Sequence, residues 1–349
     1  MAPDVTAVVV SHRSAAEALG CVGSLTEAFR EESVAGEIVL VDCGSGPEET
    51  SRLAGAGADV FLPLPENRGY SGGVNAGLAR ANSPCLLLCN ADVVFRPGSL
   101  RPLLEAVEEP GVGVAAPLAY WDAADRIRLP PGFASGFRSD LAQLSASGSP
   151  EREDARFAAF AREALALWQR GGTARHLTGA VLAVPRRVFD VVGRFDERFS
   201  FEYEETEWED RVRGAGLALR FVPQSRVRHL WGTSASASPG AAARRVASRR
   251  LYWGRRYGPV GRAVLERASR RCPAVGFPKT AEPRLAPREG AWVAVSTNPS
   301  LLPFAGAPLD RGFELPPEVA ARLPSGPIYL REFRAADGGP IATVVWEKE

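Results

Sequence analysis

Val5-Thr6-Ala7-Val8-Val9-Val10-Ser11-His12-Arg13 is a short β-branched run that ends in polar residues. Glu37-Ile38-Val39-Leu40-Val41-Asp42 and Cys85-Leu86-Leu87-Leu88-Cys89-Asn90-Ala91-Asp92 repeat that form. Apolar runs of this length, without alternation, predict strands buried on both faces. Helical spacing fills the gaps, from about Ala15 to Phe29 and from Glu48 to Ala56. A weak strand at Asp59–Leu64 follows, then a short helix from the Gly69–Gly73 stretch to about Ala81. Strand alternating with helix predicts an α/β fold with a mostly parallel central sheet. In such sheets ligands sit at the carboxyl ends of strands, here Ser11-His12-Arg13, Asp42 and Asn90-Ala91-Asp92. A single acid ending a strand is often only a turn-former. Three polar ends in one sheet point to a site.

Composition narrows the class. The 349 residues are 45% hydrophobic and 24% charged, which excludes wholesale disorder. A formal net charge of +1 argues against nucleic acid as a partner. No apolar run approaches the ~18 residues that span a bilayer, and Met1-Ala2-Pro3-Asp4 is not a signal-peptide start. The expectation is a cytoplasmic chain, at most peripheral at the inner face of a membrane. Five cysteines (Cys21, Cys43, Cys85, Cys89, Cys272) form no CxxC pair, so they read as reduced thiols used as small apolar residues.

Asn67-Arg68-Gly69-Tyr70-Ser71-Gly72-Gly73-Val74-Asn75 is glycine-rich but has neither GxGxxG spacing nor a Walker lysine. Its glycines either let backbone approach a ligand or start a helix. A strand is expected at Val112–Pro117, a loose region from Trp121 to Gly148, and a helix from Arg156 to Arg170. That helix presents Phe157, Phe160, Ala164, Leu167 and Trp168 on one face. Thr178–Val184, preceded by His176, reads as a strand, and Leu217–Val222 as an edge strand before His229. Between them eight acids fall in the fifteen positions from Asp196 to Asp210. They form either a solvated helix face or, because Phe199, Phe201, Tyr203 and Trp208 interleave them, a carboxylate held beside rings as a general base. Ten arginines face one acid, Glu266, between Arg244 and Arg271. Val246, Trp253 and Tyr257 share a helical face there. This helix either packs on the domain or lies on an anionic membrane.

Taken in order, these motifs resemble the family 2 glycosyltransferases, and among them the rhamnosyltransferase-type members, over roughly residues 4–258. The family's first strand end stands as Ser11-His12-Arg13 and its Val-Asp-Asn-Gly-Ser as Val41-Asp42-Cys43-Gly44-Ser45. Its donor-pocket pattern is matched by Asn67, Gly69, Gly73, Asn75 and Gly77, and its metal motif by Asn90-Ala91-Asp92. Phe195-Asp196-Glu197, Glu204-Glu205-Thr206-Glu207-Trp208, Arg211 and the later His229 complete the series. The resemblance implies the GT-A fold and an inverting transfer from a nucleoside-diphosphate sugar (dTDP- or UDP-linked, rhamnose among the candidates) to a hydroxyl acceptor. It implies donor contacts at Ser11, Arg13, Asp42, Asn67, Gly69, Gly73, Asn75 and Asn90. It further implies a divalent cation, Mn²⁺ or Mg²⁺, on Asp92 and His229, and a base at Glu205 or Glu204. This sequence departs from the pattern at three places. His12-Arg13 replaces Tyr-Asn, Asn90 replaces the first metal-motif aspartate, and Glu205 replaces the catalytic aspartate.

The expected domains are a transferase domain at 1–271, a proline-punctuated linker at 272–290 and a small β-rich module at 291–349. In that module Trp292–Ser296, Ile328–Arg334 and Ile341–Trp346 read as strands, the last two joined by an Asp337-Gly338-Gly339-Pro340 turn. The module carries no chemistry; its surface is open to acceptor or to a second copy in a homo-oligomer. Two rival readings remain: a non-catalytic sugar-nucleotide or glycan-binding protein on the same fold, and a nucleotidyltransferase. Donor hydrolysis without acceptor separates the first from an enzyme.

Overall fold

The protein was analysed as a computed structural model, which describes residues 3–132, 136–146, 149–231, 240–269 and 276–349. The elements begin β1 (Val5–Ser11), α1 (Ala15–Glu31), β2 (Gly36–Cys43), α2 (Pro47–Ala54), β3 (Val60–Leu64), α3 (Gly69–Leu78), β4 (Cys85–Asn90), β5 (Val93–Phe95), α4 (Leu100–Glu108) and β6 (Val112–Tyr120). They continue as α5 (Phe137–Ala146), α6 (Pro150–Arg170), β7 (Gly172–Ala174), β8 (Val181–Pro185), α7 (Arg186–Val192), α8 (Glu204–Gly214), β9 (Ala218–His229) and α9 (Ala241–Ala268). The last are β10 (Lys279–Thr280), β11 (Arg284–Leu285), β12 (Ala291–Ser296), β13 (Ala305–Pro308), β14 (Phe313–Glu314), α10 (Pro317–Ala320), β15 (Gly326–Arg334) and β16 (Pro340–Lys348).

The chain forms two compact units that do not follow chain order. One comprises residues up to Leu118 together with Gly171–Tyr252, the other Ala119–Arg170 together with Trp253–Glu349. The division therefore differs from the expected boundaries: the loose region and α6 group with the C-terminal strands. The 272–290 stretch is also more than a linker, since β10 pairs with β16 and β11 with β14.

The first unit is built on a sheet of order β3-β2-β1-β4-β8-β6-β9-β5, with β7 beside β9. β3, β2, β1 and β4 are mutually parallel, as their apolar runs demand. The sheet turns antiparallel where β4 meets β8. Glycines of α3 set its approach to the sheet. A Cβ on Gly77 would lie 2.3 Å from Val8, and one on Gly73 would lie 2.5 Å from Val10 and 2.8 Å from Cys43. The glycine run is therefore the helix itself, closing on the strands. β9 is not an edge: it lies between β6 and β5 and continues to His229. The sequence reading stopped at Val222 because Pro223-Gln224 interrupts the apolar run. Beyond that point β5 continues the pairing, opposing Val93 to His229.

The second unit pairs β10-β16-β15-β12-β13, and α6 lays the expected apolar face on this sheet. Trp168 stacks on Trp292 with centroids 5.5 Å apart, and Phe157 on Phe304 at 5.0 Å. Arg331 reaches over the Phe157 ring and pairs with Asp154 at 2.7 Å. The predicted β15–β16 hairpin is present, and Arg162 of α6 donates to the Asp337 carbonyl at 2.9 Å. Each half of α9 packs within its own unit. Ser248 accepts the Phe201 N–H at 3.3 Å in the first, and Trp253 donates to Asp140 at 3.1 Å in the second. The helix breaks at Gly258 (φ 70°) before Pro259. Val246, expected to share one helical face with Trp253 and Tyr257, is 45% exposed where Trp253 is buried.

Candidate active site

Asp42 ends β2 with no exposed surface. One oxygen accepts the backbone N–H of Ser45 (3.1 Å) and its hydroxyl (2.5 Å), and the other accepts the Thr50 hydroxyl (2.5 Å). This carboxylate shapes the loop that opens α2. Around that loop Arg13 sits in the left-handed region (φ 53°) and donates its N–H to Ser45 (2.8 Å), while His12 donates to the Cys43 carbonyl (2.8 Å). Ser11 is buried, its hydroxyl 3.1 Å from that of Ser14. A cleft of about 510 Å³ lies beside the loop, lined among others by Gly44, Gly46, Thr50, Phe61 and Pro65.

The donor-pocket motif divides in two. Asn67 accepts the Gly69 N–H at 2.8 Å, and Gly69 turns the chain at φ 69°. Both stand at the mouth of α3. Gly73 faces the sheet, and Asn75 is buried. Its amide donates to the Phe195 carbonyl (2.9 Å) and to Glu197 (3.0 Å), and its oxygen accepts the Phe195 N–H (3.2 Å). The spacing that resembles a ligand pattern thus serves at these two positions to dock α3 on the sheet and on the 195–197 loop.

That loop in turn is held by α8. Phe195 stacks on Trp208 (5.0 Å between centroids), Trp208 donates to the Gly193 carbonyl (2.9 Å), and Arg211 donates to the carbonyls of Val192 and Arg194. Of the interleaved aromatics Phe199 and Trp208 are core, while Phe201 and Tyr203 are half-buried. Glu202 and Tyr203, just before α8, both adopt positive φ (59° and 71°), a conformation that costs non-glycine residues about 1–3 kcal/mol each and concentrates at functional sites. It delivers Glu204 and Glu205 on the first turn of the helix.

Glu204 is buried, with Oε2 lacking a hydrogen-bond partner. Desolvation, reinforced by the neighbouring Glu205 charge, holds its carboxyl well above the usual range. Glu205 is half-buried, and desolvation pushes its carboxyl up to about 7, with the charges of Glu209 and Glu202 adding to the shift. Its side chain lies on Gly179, where a Cβ would stand 2.3 Å from Oε1. Tyr70 donates its hydroxyl to the Gly179 carbonyl (3.4 Å), and the Asn90 N–H donates to the Ala180 carbonyl (2.9 Å). The Gly179-Ala180 turn, which the sequence reading merged into a strand, is therefore where the β4 end, α3 and the acidic helix meet. Neither Tyr70 nor Gly179 was singled out from the sequence. A glycine at the start of an apolar run, a mark of close approach, was the available signal.

Asp92 and His229 are both buried, with Nε2 of His229 3.2 Å from Oδ1 of Asp92 and Nδ1 buried without a partner. A carboxylate oxygen and an imidazole nitrogen this close suit two ligands of one divalent cation, with Nε2 as the ligating atom and Nδ1 turned away from Asp92. Among the described residues no cluster of three or more His, Cys, Asp or Glu surrounds this pair. The described cysteines (Cys21, Cys43, Cys85 and Cys89) are free thiols; Cys272 lies outside the described residues.

Residues 6–165 match the family described as glycosyl transferase family 2. This segment belongs to that family. Over 199 residues the chain is 28% identical to an N-acetylglucosaminyl-diphospho-decaprenol L-rhamnosyltransferase of Mycobacterium tuberculosis, covering 52% of this chain and 62% of that protein. Over 116 residues it is 33% identical to the succinoglycan biosynthesis protein ExoO of Rhizobium meliloti, covering 32% of each. The chain thus spans less than two thirds of the length of the relatives it matches. In structure it resembles GalNAc-T7, solved with UDP, GalNAc and Mn²⁺, at a TM-score of 0.50 and 16% identity over 76% of this chain and 54% of that one. The fold is GT-A, as the motifs implied. The second unit's sheet is the β-rich C-terminal part expected beside it.

Proposed function

We propose that this chain is an inverting glycosyltransferase that moves a sugar from a nucleoside diphosphate to a hydroxyl acceptor, with Glu205 as the general base. The observation that carries this reading is the Glu205 carboxyl. It is delivered by a strained turn, seated on Gly179, and has a proton affinity raised to about 7, where a base works best at neutral pH. Glu204 is more deeply buried, and its carboxyl is held well above its ordinary range by desolvation and the Glu205 charge, so it supports the turn and leaves the proton transfer to Glu205.

In the proposed reaction the acceptor oxygen bonds to the anomeric carbon as the carbon–oxygen bond to the diphosphate breaks. The electron pair leaves with the diphosphate and the acceptor proton passes to Glu205. Asp92 and His229 would hold the cation. When bound, such an ion neutralises charge on the leaving diphosphate. With two protein ligands, the diphosphate and water would complete its shell, as is usual for hard cations. Arg13, Ser45 and the mouth of α3 at Asn67 and Gly69 line the base and ribose side, with Asp42 bracing the loop from behind. The motifs' resemblance favours a deoxythymidine- or uridine-linked donor; a rhamnosyltransferase and a succinoglycan biosynthesis protein among the relatives favour rhamnose as the sugar and a lipid-linked or polysaccharide acceptor.

The second half of α9 supplies a surface for such an acceptor's membrane. Beyond the break at Gly258, Val260 (76% exposed) and Val264 (41%) are four residues apart on one helical face, followed by exposed Arg267, and exposed Arg255 and Arg256 precede the break. An apolar stripe framed by arginine suits an anionic lipid surface. No described helix is long and apolar enough to cross a membrane.

Thermal shift against UDP, dTDP and GDP, each with Mn²⁺ and with chelator, tests the donor class. A ligand at a hundredfold its Kd stabilises the fold by about 2.7 kcal/mol. A shift with one nucleotide that needs Mn²⁺ and is lost in Asp92→Ala is expected. No shift with any of them favours a non-catalytic protein. Glu205→Gln should keep the shift and lower turnover by about 10²–10⁴-fold; near-normal turnover would remove Glu205 as the base.

A further inference from the structure

One buried polar pair in the first unit is not part of any motif read from the sequence. His176, 5% exposed, donates from Nδ1 to Oε2 of Glu209 at 2.6 Å, and Glu209 has no exposed surface. The same carboxylate accepts the backbone N–H of Leu177, at 3.3 and 3.2 Å to its two oxygens. Glu209 lies four residues beyond Glu205 on α8, so the two side chains rise from one face of one helix. Two residues past Leu177 is Gly179, the backbone against which the Glu205 carboxyl lies. The far side of that peptide is fixed by Tyr70 of α3 at 3.4 Å.

These contacts close a circuit. Helix α8 carries the proposed base and, one turn further on, the carboxylate that ties down the wall on which the base rests. His176 completes the hydrogen bonding of that carboxylate, which would otherwise be buried with a single backbone donor. Folding stability alone does not call for such a pair, because a buried polar or charged pair gains little over apolar side chains of the same volume. What it adds is a fixed distance between α8 and the Leu177–Gly179 backbone.

We propose, resting on Glu205 as the base, that His176 and Glu209 are positioning residues that hold the Leu177–Gly179 wall and so set where the Glu205 carboxyl stands. Misplacement of a reacting group by about 1 Å costs on the order of 10²-fold in rate. Substrate binding depends on other residues, so the loss falls on kcat and leaves KM alone.

The test is a double-mutant cycle read as nucleoside diphosphate released from dTDP-rhamnose or UDP-glucose, with water as acceptor and turnover normalised to folded protein. His176→Ala should lower kcat by on the order of 10²-fold, with the donor KM and the nucleotide thermal shift unchanged. His176→Asn, whose amide N–H takes the place of Nδ1, should recover part of the loss. Added to Glu205→Gln, His176→Ala should cost nothing more, because both act through one group. Full additivity with a slow Glu205→Gln overturns the positioning role and leaves the base reading intact. A Glu205→Gln variant with wild-type turnover overturns the base reading, and the positioning role with it. Should water be too poor an acceptor to measure, hydrogen exchange decides instead. Leu177–Gly179 amides should exchange faster in His176→Ala while the β1–β2 amides do not change. Unchanged exchange at Leu177–Gly179 overturns the proposal at any level of turnover.

Discussion

At Glu205 one methylene and one glycine decide the geometry. The longer side chain fits because Gly179 leaves room for its carboxyl. Burial raises that carboxyl from its ordinary 4.5 to about 7, with two consequences of opposite benefit. As a base it must be ionised, so turnover should rise with pH through about 7 and level off above, and Glu205→Gln should lose this limb. For folding, both states hold the proton at pH 4. As pH rises from 4.5 towards 7 the unfolded chain releases it while the folded chain keeps it, and that contribution to stability is lost by the time the folded group ionises. Glu205→Gln should therefore melt higher than the wild type at pH 8 and the same at pH 4. An unchanged Tm at pH 8 would show that burial does not strain this group. The sequence located Glu204 and Glu205 as a pair and left their roles open. The choice between them rests on burial, which spacing does not encode.

Among elements, the loop from β2 into α2 shows how a motif can be legible while its use is not. The Val41-Asp42-Cys43-Gly44-Ser45 pattern was readable, but the Asp42 oxygens are occupied by Ser45 and Thr50. Thr50 lies eight residues away in sequence and approaches only when α2 folds back. Thr50→Val keeps the volume and removes a half-buried donor to the buried Asp42 carboxylate. It should cost about 1–3 kcal/mol in a denaturation experiment, and the same variant should weaken the nucleotide shift if the loop carries the base. Gly73 and Asn75 teach the same lesson. Their spacing matched a ligand pattern, while contacts with Val10, Cys43 and Phe195 give them structural work. Helix α8 is the converse case. The eight acids left both a solvated face and a buried carboxylate open; Trp208, Glu209 and Glu204 are buried, because the rings among them needed a core.

Over the whole molecule the compact units cut across chain order, so the 119–170 segment and the C-terminal strands form one body. The sequence carried both halves of that body, the apolar face of α6 and the β15–β16 hairpin, but not their pairing. The exposed stripe of Val260, Val264 and their flanking arginines belongs to this unit. It predicts sedimentation with phosphatidylglycerol vesicles but not with pure phosphatidylcholine. Binding should weaken steeply as salt rises past the point where the Debye length falls to about 8 Å. A Val260→Asp, Val264→Asp double variant should lose the vesicles and keep the nucleotide shift. Equal binding to both lipids would refute the surface.

What the sequence determined by itself is the layered α/β order and the residues at the strand ends. Both follow from local physics: apolar runs too short for helices, glycines where helix meets strand, acids held among rings. Tertiary structure alone decided that Asp42 faces its own loop, that Asp92 meets His229 across 137 residues of chain, and that His176 and Glu209 close on the wall beneath Glu205. These are contacts between segments far apart in sequence. Their energy depends on burial and on a matching donor or acceptor, and neither exists until the sheet and α8 have come together.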